Sequence, residues 1–401
     1  MKLTPFSAQY LRPGEALPFG VRDATGRLLL AAGQVLRAGT QSEALRAQAL
    51  FADEAESAEW TRRLGAALDT MIRQNATLKE ISEARPDAAP TAAAVAAESS
   101  LPEKWDRLVT QLDAALRDLS SGSDWLERVR GVQERARTLA QKRPDASLYH
   151  LIYTAGDSSE KYSSHHALLT MLICEQAAPL LQWPQPHGDT VGLAALLMNV
   201  AMQRLQDQLA LSEGEPSAAV RSQIRSHAET GARLLHDAGL ADLLCLMVVR
   251  LHHDGSMAGV PLAAQPTERR LANLLRRVDI FCAKMSRRRN RMPMSPVQAA
   301  REACLGPDGR PDEIGGALLR AVGLYPPGSF VELVSGELGI VLARGRRANL
   351  PLVAALISPG GTPLGEPALR DTIEARHAVK GAVAPAQVRV RPQHERLLAM
   401  R

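Results

Sequence analysis

Trp105, Leu108, Leu112, Leu116 and Leu119 recur at three- and four-residue steps, and apolar spacing of this kind continues with few breaks to the region of Ala321. Large apolar side chains that return once per helical turn must be buried along one helix face after another. A stretch of that length therefore demands an all-α core. Aromatic residues make up only 3% of the chain, so the core rests on Leu, Ala, Val and Met, a set that favours helices over sheets. Asp124, followed three residues later by Glu127, has the pattern of a capping box and predicts a new helix from that point.

Either side of this block the period changes. "LPFGVRD" and "GRLLLAAGQVL" read as short strands joined by a hairpin turn at Asp23–Gly26, and a helical pattern runs from Glu56 to Glu83. "ARPDAAPTAAAVAAESSLP" holds prolines and no large apolar cluster, the composition of a linker. After "YPPGS", the segments "FVELVSGELGIVLARG" and "LPLVAALISPGG" read as short strands with glycine turns. The expected organisation is a β-rich module with a helix over 1–83, a linker over 84–104, a helical domain over 105–324 and a small β-rich tail over 325–401. The fold class is mainly α.

With 401 residues the chain has room for two or three domains. A net charge of +5 is modest for that length and does not argue for nucleic acid. Cys174, Cys245, Cys282 and Cys304 are scattered through apolar helical sequence, which predicts reduced, buried thiols rather than disulfides or a zinc site. "MKLTPFSAQYLRPGE" has no apolar signal region and no uninterrupted apolar run reaches membrane-spanning length, so the chain reads as cytoplasmic.

Chemistry concentrates on histidine. "LHHDG" places His252 and His253 beside Asp254, and His166 and His227 stand in the same helical block with polar neighbours. His236-Asp237 in "LLHDAGL" forms a further pair at the end of a predicted helix, where a histidine meets the helix dipole favourably. For His150, His165, His187, His377 and His394 the plain reading is a surface or capping role. The run "KMSRRRNR" offers Lys284, Arg287, Arg288, Arg289 and Arg291; it reads equally as a solvated helix end and as a phosphate-binding surface, since planar guanidinium groups suit bidentate phosphate contacts. No aromatic residues interleave it, which disfavours single-stranded nucleic acid.

From Pro144 to Ala343 the order of these segments resembles the HD-GYP domains, metal-dependent phosphodiesterases that act on cyclic di-GMP. "YSSHHALLTMLICEQAAPLLQWP" is similar to the first motif helix, with His166 at the first histidine; "SHAETGARLL" places His227 at a ligand position; "LHHDG" matches the paired histidines; "RRVDIFCAKMSRRRNRMPMSPVQAA" places Asp279 at the final metal carboxylate. The resemblance implies an HD-domain-like bundle, metal ligands at His166, His227, His252, His253 and Asp279, and phosphate contacts from Arg288 and Arg291, with Lys284 nearby. It also implies partners in the cyclic di-GMP network and the nucleotide itself.

The sequence departs from the family where charge matters. The His-Asp pair expected in "GLAALLMNVAM" is Met198-Asn199, the following glycine-lysine pair is Ala201-Met202, and the GYP tripeptide is absent after "HHDG". A carboxylate that some members carry one turn before the first histidine is Tyr162. A thioether is a poor ligand for hard or borderline ions, and an amide has the shape of a bridging carboxylate without its charge. The expectation is a signalling protein without catalysis, holding at most one divalent transition metal such as manganese or iron. The competing reading is a phosphodiesterase of reduced activity with an atypical metal site.

Overall fold

The computed structural model describes residues 100–400 apart from 121, 123, 258 and 307, and, within the first 99, the stretches 3–6, 19–24, 28–30 and 49–54 with a few neighbouring positions. Contacts divide the chain into two units, Met1–Ser99 and Ser100–Arg401.

Among the described residues of the first unit, four short strands form one sheet. They are β1 (Leu3–Phe6), β2 (Val21–Arg22), β3 (Leu28–Leu30) and β4 (Leu50–Asp53), in the order β1-β4-β2-β3. β2 and β3 pair antiparallel, Val21 opposite Leu30, as the hairpin reading expects, while turn residues 25–27 lie outside the described residues. Leu17, Val21, Leu30 and Leu50 are its buried core. Of the helix expected over 56–83, only positions up to Thr61 fall within the described residues.

The second unit opens with α1 (Leu101–Arg117), earlier than the sequence reading placed it. Ser100 accepts from the Glu103 backbone N–H while the Glu103 side chain accepts from the Ser100 N–H, a complete capping box with Pro102 behind it. The last residues assigned to the linker are thus helical. Trp105, Leu108, Leu112 and Leu116 line the buried face as their spacing requires, and Leu119 follows the helix end.

The helices continue with α2 (Trp125–Lys142), α3 (Pro144–Asp157), α4 (Tyr162–Ala177), α5 (Gln185–Leu197), α6 (Gln203–Leu211), α7 (Ala218–Asp237), α8 (Leu243–Leu251), α9 (Thr267–Met285), α10 (Pro296–Cys304) and α11 (Glu313–Val322). Asp124 does precede α2, but it makes no cap bond; its carboxylate pairs instead with Arg128 at 2.8 Å. α4 is the central element. Fourteen of its sixteen residues are buried, and it packs against α5, α9, α3 and α1. A helix covered on every side shows almost no amphipathic stripe, consistent with the apolar run from Ala167 to Cys174. All four cysteines are free and buried.

A five-stranded antiparallel sheet completes the unit: β5 (Phe330–Leu333), β6 (Leu338–Ala343), β7 (Leu352–Ile357), β8 (Pro363–Asp371) and β9 (Val379–Val383), in the order β8-β7-β6-β5-β9. A terminal helix, α12 (His394–Ala399), follows. The tail is not a separate body. Leu148, Leu151 and Ile152 of α3 enter the helical core, whereas Ala146 and Tyr149 of the same helix pack with Phe330, Ile340 and Leu356 of the sheet. Gly328 makes this close approach: its φ is +88°, and a Cβ there would lie 2.4 Å from the Tyr149 carbonyl oxygen. The chain is therefore mainly α, with a small sheet in each unit. No described helix is long and apolar enough to cross a membrane.

Candidate metal centre

Four helices deliver the ligand-type side chains. His166 stands in the second turn of α4, His227 midway along α7, and Asp279 on α9; His252 is the C-cap of α8 and His253 follows it. Asp242 caps α8 by accepting from the Cys245 N–H, which fixes where that helix begins and so where its histidine-bearing end falls. α7 packs on α8, and α8 packs on both α5 and α9.

Three imidazoles converge. His227, His252 and His253 form a group whose ligand atoms lie within 4.8 Å of one another. The Nε2 atoms of His227 and His252 are 3.2 Å apart, and those of His227 and His253 are 3.3 Å apart. Tautomer follows from the other nitrogen of each ring. His227 Nδ1 donates to the Ile224 carbonyl at 2.6 Å and His252 Nδ1 donates to the Val249 carbonyl at 2.5 Å, so both Nε2 atoms are left with bare lone pairs. Burial disfavours a proton that could bridge them. It lowers the pKa of all three rings, that of His252 to about 3, with the neighbouring His253 acting in the same direction on His252.

Bare lone pairs facing each other at this distance repel unless a cation accepts both. Imidazole nitrogens bound at about 2.1 Å to one ion sit roughly 3.0–3.4 Å apart at tetrahedral or octahedral angles. The observed separations fit a shared divalent ion.

The remaining two predicted ligands form a pair beside this trio. His166 Nε2 donates to Asp279 Oδ1 at 2.8 Å, and His166 Nδ1 is buried without a partner. Burial alone would raise the Asp279 pKa, but the His166 hydrogen bond and the nearby His166, His252 and His253 rings outweigh it and hold the group as carboxylate. Asp279 also interacts electrostatically with His227. The sequence reading puts five ligands in one pocket; the structure arranges them as a trio and an adjoining hydrogen-bonded pair. Asp254, the carboxylate next to His253, is ion-paired with Arg269.

Met198 and Asn199 occupy the turn that ends α5, and both are buried. This turn lies against the His227 helix: a Cβ on Gly231, one turn beyond His227, would sit 3.8 Å from the Met198 carbonyl oxygen and 3.5 Å from Val200. His236 and Asp237 contact each other at 3.4 Å and are exposed. Nine residues separate His236 from His227 on α7, about 13 Å along the helix axis, and the pair is outside the imidazole group.

Among the basic candidates, Arg288 reaches the site through a residue that the motif reading treats only as a substitution. Its Nε and an Nη donate to the Tyr162 hydroxyl at 3.2 and 2.9 Å, with the guanidinium 5.0 Å from the ring centroid. Tyr162 in turn stacks on His166, centroids 5.8 Å apart and planes 7° from parallel. The signal was available in sequence, since residues four apart share a helix face. Arg291 donates to the Ala283 carbonyl, and Lys284 pairs with Glu302 at 2.6 Å.

No protein-family model matches the chain. It is 29% identical over 206 residues to the cyclic di-GMP phosphodiesterase PA4108 of Pseudomonas aeruginosa, a match covering 50% of this chain and 49% of that protein. The chain thus spans about half the length of this curated relative. Among solved structures it aligns with Bd1817, an HDG"Y"P protein from Bdellovibrio bacteriovorus, at a TM-score of 0.42 and 12% identity, over 79% of this chain and 98% of the other. In its motif order the chain resembles the HD-GYP proteins, and a curated relative is a cyclic di-GMP phosphodiesterase.

Proposed function

We propose that the chain is an HD-GYP-type protein of cyclic di-GMP signalling that binds partner proteins and the nucleotide but does not hydrolyse it, its pocket holding at most one divalent transition metal. The relation to a cyclic di-GMP phosphodiesterase supports the network and the ligand. The imidazole trio supports a metal. The observation that carries the non-catalytic reading is the Met198-Asn199 turn, where the resemblance expects an imidazole and a bridging carboxylate.

Magnitudes favour one ion over two. Divalent cations ~4 Å apart repel by roughly 17 kcal/mol even at an effective dielectric constant of ~20. Bridging anionic ligands must offset that. The trio brings no formal charge, Asp279 brings one carboxylate already engaged by His166, and Asp254 is held by Arg269. His227, His252 and His253 would hold a single ion, with Asp279 able to join after His166 gives up its hydrogen bond. When bound, the ion would act as a Lewis acid toward a phosphoryl oxygen. The chain's own contribution is positional: Tyr162 holds the Arg288 guanidinium beside His166, where it can contact a phosphodiester.

A second reading, a mononuclear phosphodiesterase of low activity, draws on the same trio and on Asp279 as a carboxylate. Elemental analysis of anaerobically purified protein, paired with cyclic di-GMP hydrolysis in added manganese or iron, separates the two. The proposal expects no more than one metal per chain and no turnover above background at saturation. Robust turnover that His252→Ala abolishes would replace it with the enzyme reading.

A further inference from the structure

Away from the imidazole trio, a cavity of about 690 Å³ lies between the end of α3, the chain from Met285 to Gln298, the start of β5 and the segment from Ala382 to Arg391. Its size falls in the range of about 300–1,000 Å³ common to small-molecule sites. None of the five metal-ligand candidates lines it.

Its walls differ in character. Ile152, Met285, Phe330 and Val390 form an apolar lining, and the Tyr153 ring meets that of Phe330 edge-to-face at 6.1 Å. Arg389 and Arg391 bring positive charge from the segment after β9; both are exposed, and neither has an ion-pair partner among the described residues. One carboxylate, Asp157, lines the cavity with them, and it and Arg391 act in opposite directions on the Tyr153 hydroxyl, Asp157 raising its pKa and Arg391 lowering it. The lining therefore carries a positive excess beside an aromatic, largely apolar interior.

We infer that this cavity binds a small amphipathic anion, with a flat apolar body against Tyr153 and Phe330 and a carboxylate, sulfonate or phosphate group at Arg389 and Arg391. Its position gives such a ligand a route to the other site. The segment from Ser286 to Ser295 sends Arg288 to Tyr162 on one side and forms the cavity wall through Pro293 and Met294 on the other. Backbone bonds from Arg287 to the Ala155 carbonyl at 2.7 Å and from Met294 to the Lys284 carbonyl at 2.9 Å hold it in place.

Calorimetric titration of the full chain with 1-naphthalenesulfonate, alongside neutral 1-naphthol, tests this without metal or nucleotide. The sulfonate is expected to bind one per chain. Combined Arg389→Ala and Arg391→Ala should weaken it by about tenfold or more while leaving naphthol nearly unchanged. Gly156→Leu should abolish binding of both: Gly156 lines the cavity on a helix, and an added Cβ meets nothing within 4 Å, which leaves open space for a larger side chain to fill. Unchanged circular dichroism establishes that each variant is folded. Absence of saturable sulfonate binding at millimolar concentration, or binding unmoved by Gly156→Leu and by the arginine pair, overturns the inference.

Discussion

Lowering the pH from 7.5 to 5 on chelator-stripped protein loads protons onto histidines that the fold keeps neutral. His165 and His252 are both buried, and His165 Nε2 has no hydrogen-bond partner. Burial moves each from its ordinary value of 6.5 to about 3, assisted by His150 and His166 at the first and by His253 at the second. A histidine with a depressed folded-state pKa costs nothing well above its unfolded pKa. Below it the unfolded chain binds the extra proton, so stability falls from about pH 6.5 downward and goes on falling to about pH 3. At pH 5 this difference corresponds to about 2 kcal/mol for each ring, about 4 kcal/mol together. His227, His253 and His394 shift in the same direction and add to the loss. Asp279, also depressed, contributes only as pH falls below its ordinary 3.8, outside this window. Urea unfolding followed by circular dichroism, in chelator, measures the slope. His165→Leu should recover about 2 kcal/mol of the loss at pH 5. Equal stability at pH 7.5 and 5, or an unchanged slope in the variant, would refute the assignment of neutral buried imidazoles.

Other perturbations bear on the site and its support. His227→Ala or His252→Ala should remove the metal measured by elemental analysis, because each deletes one of the converging Nε2 atoms. Met198→His with Asn199→Asp should raise metal occupancy above that of the wild type, the added carboxylate offsetting cation repulsion; unchanged occupancy would mean that this turn does not face the metal. Gly328→Ala should lower stability by about 2–5 kcal/mol, from the positive φ and from the collision with the α3 backbone. A denaturant midpoint within error of the wild type would show that the helix and sheet can move apart at little cost.

The helical block was legible because apolar period is a local property. The convergence of His227, His252 and His253 was open to the same reading, since their place in the motif order needs no knowledge of distances. Details that depend on competing partners were less accessible. Asp124 had two uses for its carboxylate and took Arg128 rather than the helix cap. The capping box at Ser100 and Glu103 was written in the sequence but lay inside a stretch whose alanines and prolines suggested a linker. β8, with exposed and charged positions on a sheet edge, lacks the alternation that marks a strand, and β9 pairs with β5 from about fifty residues away. The division of ligands into a trio and a pair, and the Tyr162–Arg288 contact, arise where α4, α7, α8 and α9 meet; no window of sequence contains them.

The two-faced character of α3 has a bearing on synthesis. One side of this helix packs into the bundle made from segments near it in the chain, while Ala146 and Tyr149 on the other await strands that begin only at Phe330. A ribosome therefore exposes nearly two hundred further residues before the outer face of α3 has anything to rest against. Throughout that interval the nascent bundle displays Tyr149 and its apolar neighbours to the surroundings. The last-made strands then act as a cover that ends this exposure, and a stall in translation between Val322 and Phe330 should yield the form of the chain most readily captured by chaperones.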